Sequence, residues 1–90
     1  MDRDTLLHFI RRIVRGGNPE QSHLALLQLE QILRLQGDQD SSRIVNDAAI
    51  GLPDLMRVTN PLDERAIVLA AERGRERLRR EQEARTMGRC

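Results

Sequence analysis

The residues that could carry chemistry are few, and they are scattered along the 90-residue chain. Two histidines, His8 and His23, could bind a metal or move protons, but neither has a cysteine or carboxylate at metal-ligand spacing. The one cysteine, Cys90, has no second thiol to form an intrachain disulfide. No nucleophile motif and no glycine-rich phosphate loop is present. We therefore expect no catalytic residue, no metal and no cofactor, so the chain is not expected to be an enzyme.

The charged residues are balanced in number. Fifteen basic residues, all arginine, stand against fourteen acidic ones, for a formal net charge of +1. Such a chain has no strong overall field to direct it to nucleic acid or a membrane, so any such role needs a local cluster. The exclusive use of arginine suggests a high-GC genome, such as that of a bacterium or its phage. No signal peptide or membrane-spanning stretch is recognisable, and we expect a cytoplasmic protein with no membrane partner.

Two arginine-rich helix faces are the candidates for contact with an anion or nucleic acid. Their members are Arg11, Arg12 and Arg15 near the N-terminus and Arg73, Arg77 and Arg80 near the C-terminus. The first face is weakly opposed by acids, but it is also what an ordinary polar helix face looks like. The second lies in residues 72–85, which contain six arginines and four glutamates, several at ion-pair spacing. Because nucleic-acid binding requires unopposed cations, we favour solvated faces in both places.

The apolar pattern of the first half predicts two amphipathic helices. Asp4 would cap a first helix over residues 5–15, ended by Gly16 and Gly17. Its inward side would be formed by Leu6, Leu7, Phe9, Ile10, Ile13 and Val14. Asn18 followed by Pro19 is typical of a helix start, and the second helix is expected to end near Gln36.

The second half of the chain predicts a broken helix and a long one. A polar loop over residues 37–42 leads to a third helix over 41–50, and Gly51 and Pro53 should kink it or begin a short new helix reaching Val58. Its inward side would be Ile44, Val45, Ala48 and Leu52. Asn60-Pro61 should start the last helix, which runs to the low eighties.

The last helix combines a core-forming half with a charged extension. Its expected core residues are Leu62, Ala66, Ile67, Leu69 and Ala70, and a seam that admits another helix closely is formed by Ile67, Ala71, Gly74 and Leu78. The chain as a whole is predicted to be one all-α domain of about four helices. Its core would span about residues 4–80, with a charged helical extension over about 72–90.

The second helix carries more leucine than one buried face requires. Its expected inward stripe is Ala25, Leu26, Leu29, Ile32 and Leu33, and a second seam is formed by Leu24, Leu27, Gln28, Gln31 and Leu35. This seam is either a second core face of a four-helix bundle or an interface with another chain. Because a buried glutamine amide needs hydrogen-bond partners, we favour the exposed interface.

These patterns favour a non-catalytic protein-binding module. It would be a small regulator, adaptor or inhibitor that occupies a surface of a partner protein and forms a homodimer, and its size and composition fit a phage or mobile-element product. The alternative is a transcriptional regulator that binds nucleic acid through its arginine-rich helix faces. Two features count against it: the chain has no Trp or Tyr for base stacking, and the connection before the third helix is long for a helix-turn-helix.

Overall fold

The computed structural model describes residues 1–16, 18–57 and 62–87 as a helical bundle without strands. Its helices are α1 (Arg3–Arg15), α2 (Pro19–Leu35), α3 (Gln39–Ile50), α4 (Leu52–Leu55) and α5 (Glu64–Met87). The predicted all-α class is confirmed, and so is the break after the third helix, since α3 ends at Ile50 and the single turn of α4 follows Gly51. Val58, Asn60 and Pro61 lie outside the described residues, but the expected start of the last helix at Pro61 is wrong, because Leu62 and Asp63 are not helical and α5 begins at Glu64.

Side-chain caps determine where three of the helices begin. Asn18 Oδ1 accepts a hydrogen bond from the Gln21 amide at 2.8 Å, as the Asn-Pro pattern predicts. Asp38 Oδ1 accepts from Ser41 N at 3.3 Å, so α3 begins two residues before the predicted Ser41. Asp63 Oδ1 accepts from Ala66 N at 2.9 Å and caps α5. In each of these helices, a short polar side chain therefore satisfies one of the four amides that have no partner within the helix.

The start of α1 differs from the prediction. The helix begins at Arg3, with Asp2 in the capping position, and Asp4 lies inside the first turn, where a carboxylate interacts favourably with the helix dipole. The α-amino group of Met1 forms an ion pair with Asp38 at 2.6 Å. This contact and the cap of α3 lower the pKa of the Asp38 carboxyl to about 2.

One contiguous core joins all the helices. It contains Leu6, Leu7, Ile10 and Val14 from α1, Leu26 and Leu33 from α2, Ile44, Val45, Ala48 and Ala49 from α3, Leu52 and Leu55 from α4, and Leu62, Ile67 and Ala70 around α5. The inward side predicted for the third helix is therefore confirmed. Small residues bring α5 close to the end of α3, because a Cβ added to Gly51 would lie 2.6 Å from the Ala70 Cβ.

Three apolar residues that were predicted to face inward are exposed, namely Phe9, Ile32 and Leu69. Helical periodicity correctly defines the arc on which they lie, but how much of that arc is covered depends on the neighbouring helices. The width of the buried stripe is overestimated on α1, α2 and α5 for this reason. Conversely, Glu30 of α2, which was not expected to be buried, is only 8% exposed.

Candidate protein-binding surface

From Leu24 to Leu35, the outward side of α2 is a leucine-rich surface without a charged residue, and the exposed Glu20 lies on the same side one turn before it. All five residues of the predicted seam, Leu24, Leu27, Gln28, Gln31 and Leu35, are exposed, and the misassigned Ile32 joins them. We call these six residues the α2 surface. Leu35 is 81% exposed and Leu24 59% exposed, so the bundle itself leaves their apolar area in water. The second core face, which was the alternative for this seam, is not what the geometry shows.

Polar contacts on the opposite side of α2 fix its rotation. Ser22 Oγ donates to the carbonyl of Ile13 at 2.8 Å, which ties α2 to the end of α1. Two turns further along, Glu30 accepts a hydrogen bond from Ser42 Oγ of α3 at 2.9 Å. Together with the buried Leu26 and Leu33, these residues form the inner stripe of α2. The leucines of the α2 surface are therefore not needed to hold α2 in place.

The inner stripe contains an unexpected buried carboxylate, that of Glu30. The Arg34 guanidinium binds its carboxylate, with Nε 3.0 Å from Oε1, and Ser42 supplies a further hydrogen bond. These two donors hold the pKa of Glu30 below its usual value. Sequence reasoning missed this role because an (i, i+4) Glu-Arg pair is normally a solvated surface pair. Ser42, which completes the contacts of Glu30, lies twelve residues further along the chain, and helical periodicity does not predict that the two residues meet.

An open, mostly apolar groove of about 530 Å³ adjoins the α2 surface. It lies where α2, α3, α4 and α5 meet, and Leu27 belongs to both the groove and the α2 surface. Pro53 and Leu78 supply apolar lining, whereas His23 and Arg77 supply polar groups. The predicted seam of α5 contacts α3 only as far as Gly74. Leu78, the next residue of the seam, is 55% exposed and lines the groove.

Of the six arginines proposed for anion contact, three are bound to another group of this chain, and three have no ion pair among the described residues. Arg11 is half-buried and its Nε donates to the Leu62 carbonyl at 3.0 Å. Arg77 pairs with Asp54 at 3.0 Å and Arg80 with Glu76 at 2.9 Å, and the latter is one of the pairs at ion-pair spacing within residues 72–85. The remaining three, Arg12, Arg15 and Arg73, are exposed and have no ion pair within the described part of the chain. They lie on two different helices, α1 and α5.

Neither a metal-binding group nor a membrane-spanning helix is found among the described residues. His8 lies on α1 and His23 on α2, and no group of three histidine, cysteine or carboxylate side chains is placed to hold a metal ion within residues 1–16, 18–57 and 62–87. None of the helices in these ranges has the length and apolar character needed to cross a bilayer. The α2 surface and its groove are thus the features that most resemble a binding site.

No protein-family model, no curated protein and no solved structure matches this chain. The fold and the surface together define an all-α helical bundle that presents a leucine-rich helix face. Its function is therefore inferred from its own residues and their geometry.

Proposed function

We propose that this protein is a non-catalytic protein-binding module that acts by occupying a surface of another protein. The observation that carries the proposal is the α2 surface, in which Leu24, Leu27, Ile32 and Leu35 are exposed on one side of one helix. We propose that it acts as a small regulator, adaptor or inhibitor. A cytoplasmic location and a phage or mobile-element origin belong to the same proposal and are supported by composition alone.

The apolar character of the α2 surface supports protein binding. Contiguous exposed apolar area is unusual on a monomeric soluble domain and commonly marks a protein interface. The interfaces of protein complexes typically have an apolar centre depleted of charge and a polar rim. The α2 surface has this composition, with two glutamines as its polar members and no charged residue. The groove beside it would receive a bulky apolar side chain of the partner next to Leu27 and Leu78.

The competing nucleic-acid function has weaker support. Binding to phosphates depends on cations that are free to release their counterions. Arg11, Arg77 and Arg80 already bind a carbonyl or a carboxylate of this chain. Arg12, Arg15 and Arg73 are available, but the first two lie on α1 and the third on α5, so no single helix carries all three.

Affinity capture from a lysate of the source cells, with and without nuclease, separates the two functions. The proposal predicts one stoichiometric protein that survives nuclease and 0.5 M salt, since apolar contacts are not weakened by salt. Recovery of nucleic acid alone, or of proteins that are lost after nuclease treatment, would contradict it. A steep fall of duplex DNA binding with rising salt would then identify the arginine faces as the binding site.

A further inference from the structure

The α2 surface is symmetric from end to end. Counted outward from the midpoint between Leu29 and Glu30, its six residues form three pairs of matching chemistry. The pairs are Leu24 with Leu35, Leu27 with Ile32, and Gln28 with Gln31. All six side chains are exposed. The same midpoint also relates Leu26 to Leu33 of the buried stripe, whereas the three pairs of the α2 surface are exposed.

Helical geometry places the two members of each pair at equal angles on either side of the centre line of the face. At 100° per residue, Leu24 and Leu35 lie within about 20° of each other at the centre of the face. Gln28 and Gln31 lie about 30° to either side of that centre, and Leu27 and Ile32 about 70° to either side. The two central leucines are about 16 Å apart along the axis, from the helical rise per residue. Along the helix axis, the surface is therefore apolar at both ends and carries the glutamine amides in the middle.

We propose that this surface is the interface of a homodimer in which two copies of α2 pack antiparallel. The twofold axis would be level with the midpoint between residues 29 and 30. This inference rests on the proposed function, because both use the α2 surface. The occupant proposed here is a second copy of the chain, which the target protein of the proposed function would have to displace. An antiparallel twofold brings residue i level with residue 59 − i of the partner, so Leu24 meets the leucine at position 35, and the glutamines meet in the centre.

The charges that flank the surface favour the antiparallel pairing over a parallel one. In a parallel pair, the exposed Glu20 would lie level with its own copy, as would Arg34, whose charge is partly compensated by Glu30, and the two helix dipoles would be aligned side by side. In the antiparallel pair, Arg34 is level with Ala25, and the dipoles oppose each other. Four glutamine amides in the centre can donate and accept among themselves, and this contact fixes the register, because a shift would leave amides against leucine.

The adjoining groove allows the dimer contact to extend beyond α2. A stable interface commonly buries about 800 Å² on each partner, which is more than one short helix face supplies. Leu27 is shared between the α2 surface and the groove, so the apolar area continues to Leu78 of α5. We therefore assign Leu78 to the edge of the same interface.

Disulfide cross-linking tests the antiparallel register. In a Cys90→Ser background, Leu24→Cys and Leu35→Cys proteins are oxidised separately and as an equimolar mixture. The dimer predicts fast cross-linking in the mixture and little in either protein alone, because like positions are about 16 Å apart in the antiparallel pair. Phe9→Cys mixed with Leu69→Cys is the matched control of exposed residues away from α2. Fast self-cross-linking of Leu24→Cys, or a mixture no faster than the control, would overturn the proposal.

A charge exchange tests the pairing without covalent chemistry. Sedimentation equilibrium should show that Leu24→Glu and Leu35→Arg each raise the dimer dissociation constant at least about tenfold, since each places a charge against leucine. The double variant should recover most of the affinity, because its carboxylate at 24 meets the guanidinium at 35 of the partner. In a parallel pair it would place like charges together and dissociate further. Leu69→Glu is the control, and circular dichroism confirms that each variant is folded.

The two proposals fail separately. A wild-type protein that is monomeric at every concentration overturns the homodimer. If lysate capture in that case still depends on Leu27 and Leu35, the α2 surface binds a different protein and the proposed function stands. A dimer without any captured partner would support the inference and contradict the idea that another protein is the target.

Discussion

Gly74 of α5 lies directly against the main-chain carbonyl of Ile50, the last residue of α3. A Cβ added to Gly74 would be 2.5 Å from that oxygen. Because Ile50 is also a wall of the groove, this contact sets the spacing of α3 and α5 and with it the shape of the groove beside the α2 surface.

Gly74→Ala should therefore destabilise the protein, although alanine is the better helix former. Alanine gains about 1 kcal/mol in helix propensity over glycine, whereas forcing a methyl into a filled contact costs about 1 to 3 kcal/mol. We expect a net loss of about 1 kcal/mol, measured by urea unfolding. Glu72→Ala, an exposed change on the same helix, is the control and should alter the free energy of unfolding little. An increase in stability for Gly74→Ala would show that the helices are not in close contact there.

Glu30 should make the stability depend on pH in the acid range. Its pKa is held below 4.5 in the folded state, so the ionised carboxylate stabilises the protein above pH 4.5, and this stabilisation is lost as pH falls through the lowered pKa. Glu30→Gln should be less stable than wild type at pH 7, and the difference should shrink below pH 4.5. Urea unfolding at pH 7, 5, 4 and 3 measures it. A difference that is constant with pH would mean that the carboxylate makes no special contact.

The charged end of α5 should contribute little to stability. All residues from Arg75 to Arg85 are exposed, and the Arg79–Glu83 and Arg80–Glu76 pairs are solvated (i, i+4) contacts. Deleting the chain after Arg79 should change the free energy of unfolding by less than about 0.5 kcal/mol. A large loss in thermal or urea unfolding would indicate that this segment docks on the bundle.

Leu27→Glu combined with Leu35→Glu should leave the isolated chain folded. Both side chains are exposed, and surface substitutions commonly change stability by no more than about 0.5 kcal/mol each. Far-UV circular dichroism and unfolding at low protein concentration should match wild type, and at high concentration the variant should lack any stabilisation that comes from self-association. Unfolding of the variant at low concentration would place these leucines in the core.

The sequence predicts the helices well and the buried side of each helix less well. The starts and ends of α2 and α3 depend on contacts between residues that are close in sequence, such as the Asn18 cap and the break at Gly51. The sequence of the segment is therefore enough to indicate them. Whether Ile32 or Leu69 is covered depends on which helices pack beside it, and periodicity does not contain that information. Glu30 illustrates the same limit, because its burial depends on Ser42 of another helix.

The exposure of the α2 surface was predictable because its leucines are interspersed with glutamines, whose amides need hydrogen-bond partners when buried. Its use as an interface stays a prediction. The adjoining groove was not predictable, since it requires the approach of α3, α4 and α5 to one end of α2. The arginines show the reverse case, because Arg11 and Arg77 were expected on solvated faces but have partners distant along the chain.

The most direct test of the binding surface is affinity capture repeated in parallel with wild type, with the Leu27→Glu and Leu35→Glu double variant, and with Leu69→Glu. The amount of the stoichiometric partner per mole of bait is measured after nuclease treatment. We expect the partner to be lost with the double variant and retained with Leu69→Glu, although all three proteins are equally helical. Retention of the partner by the double variant, or equal loss with Leu69→Glu, would contradict the assignment of α2 as the binding surface.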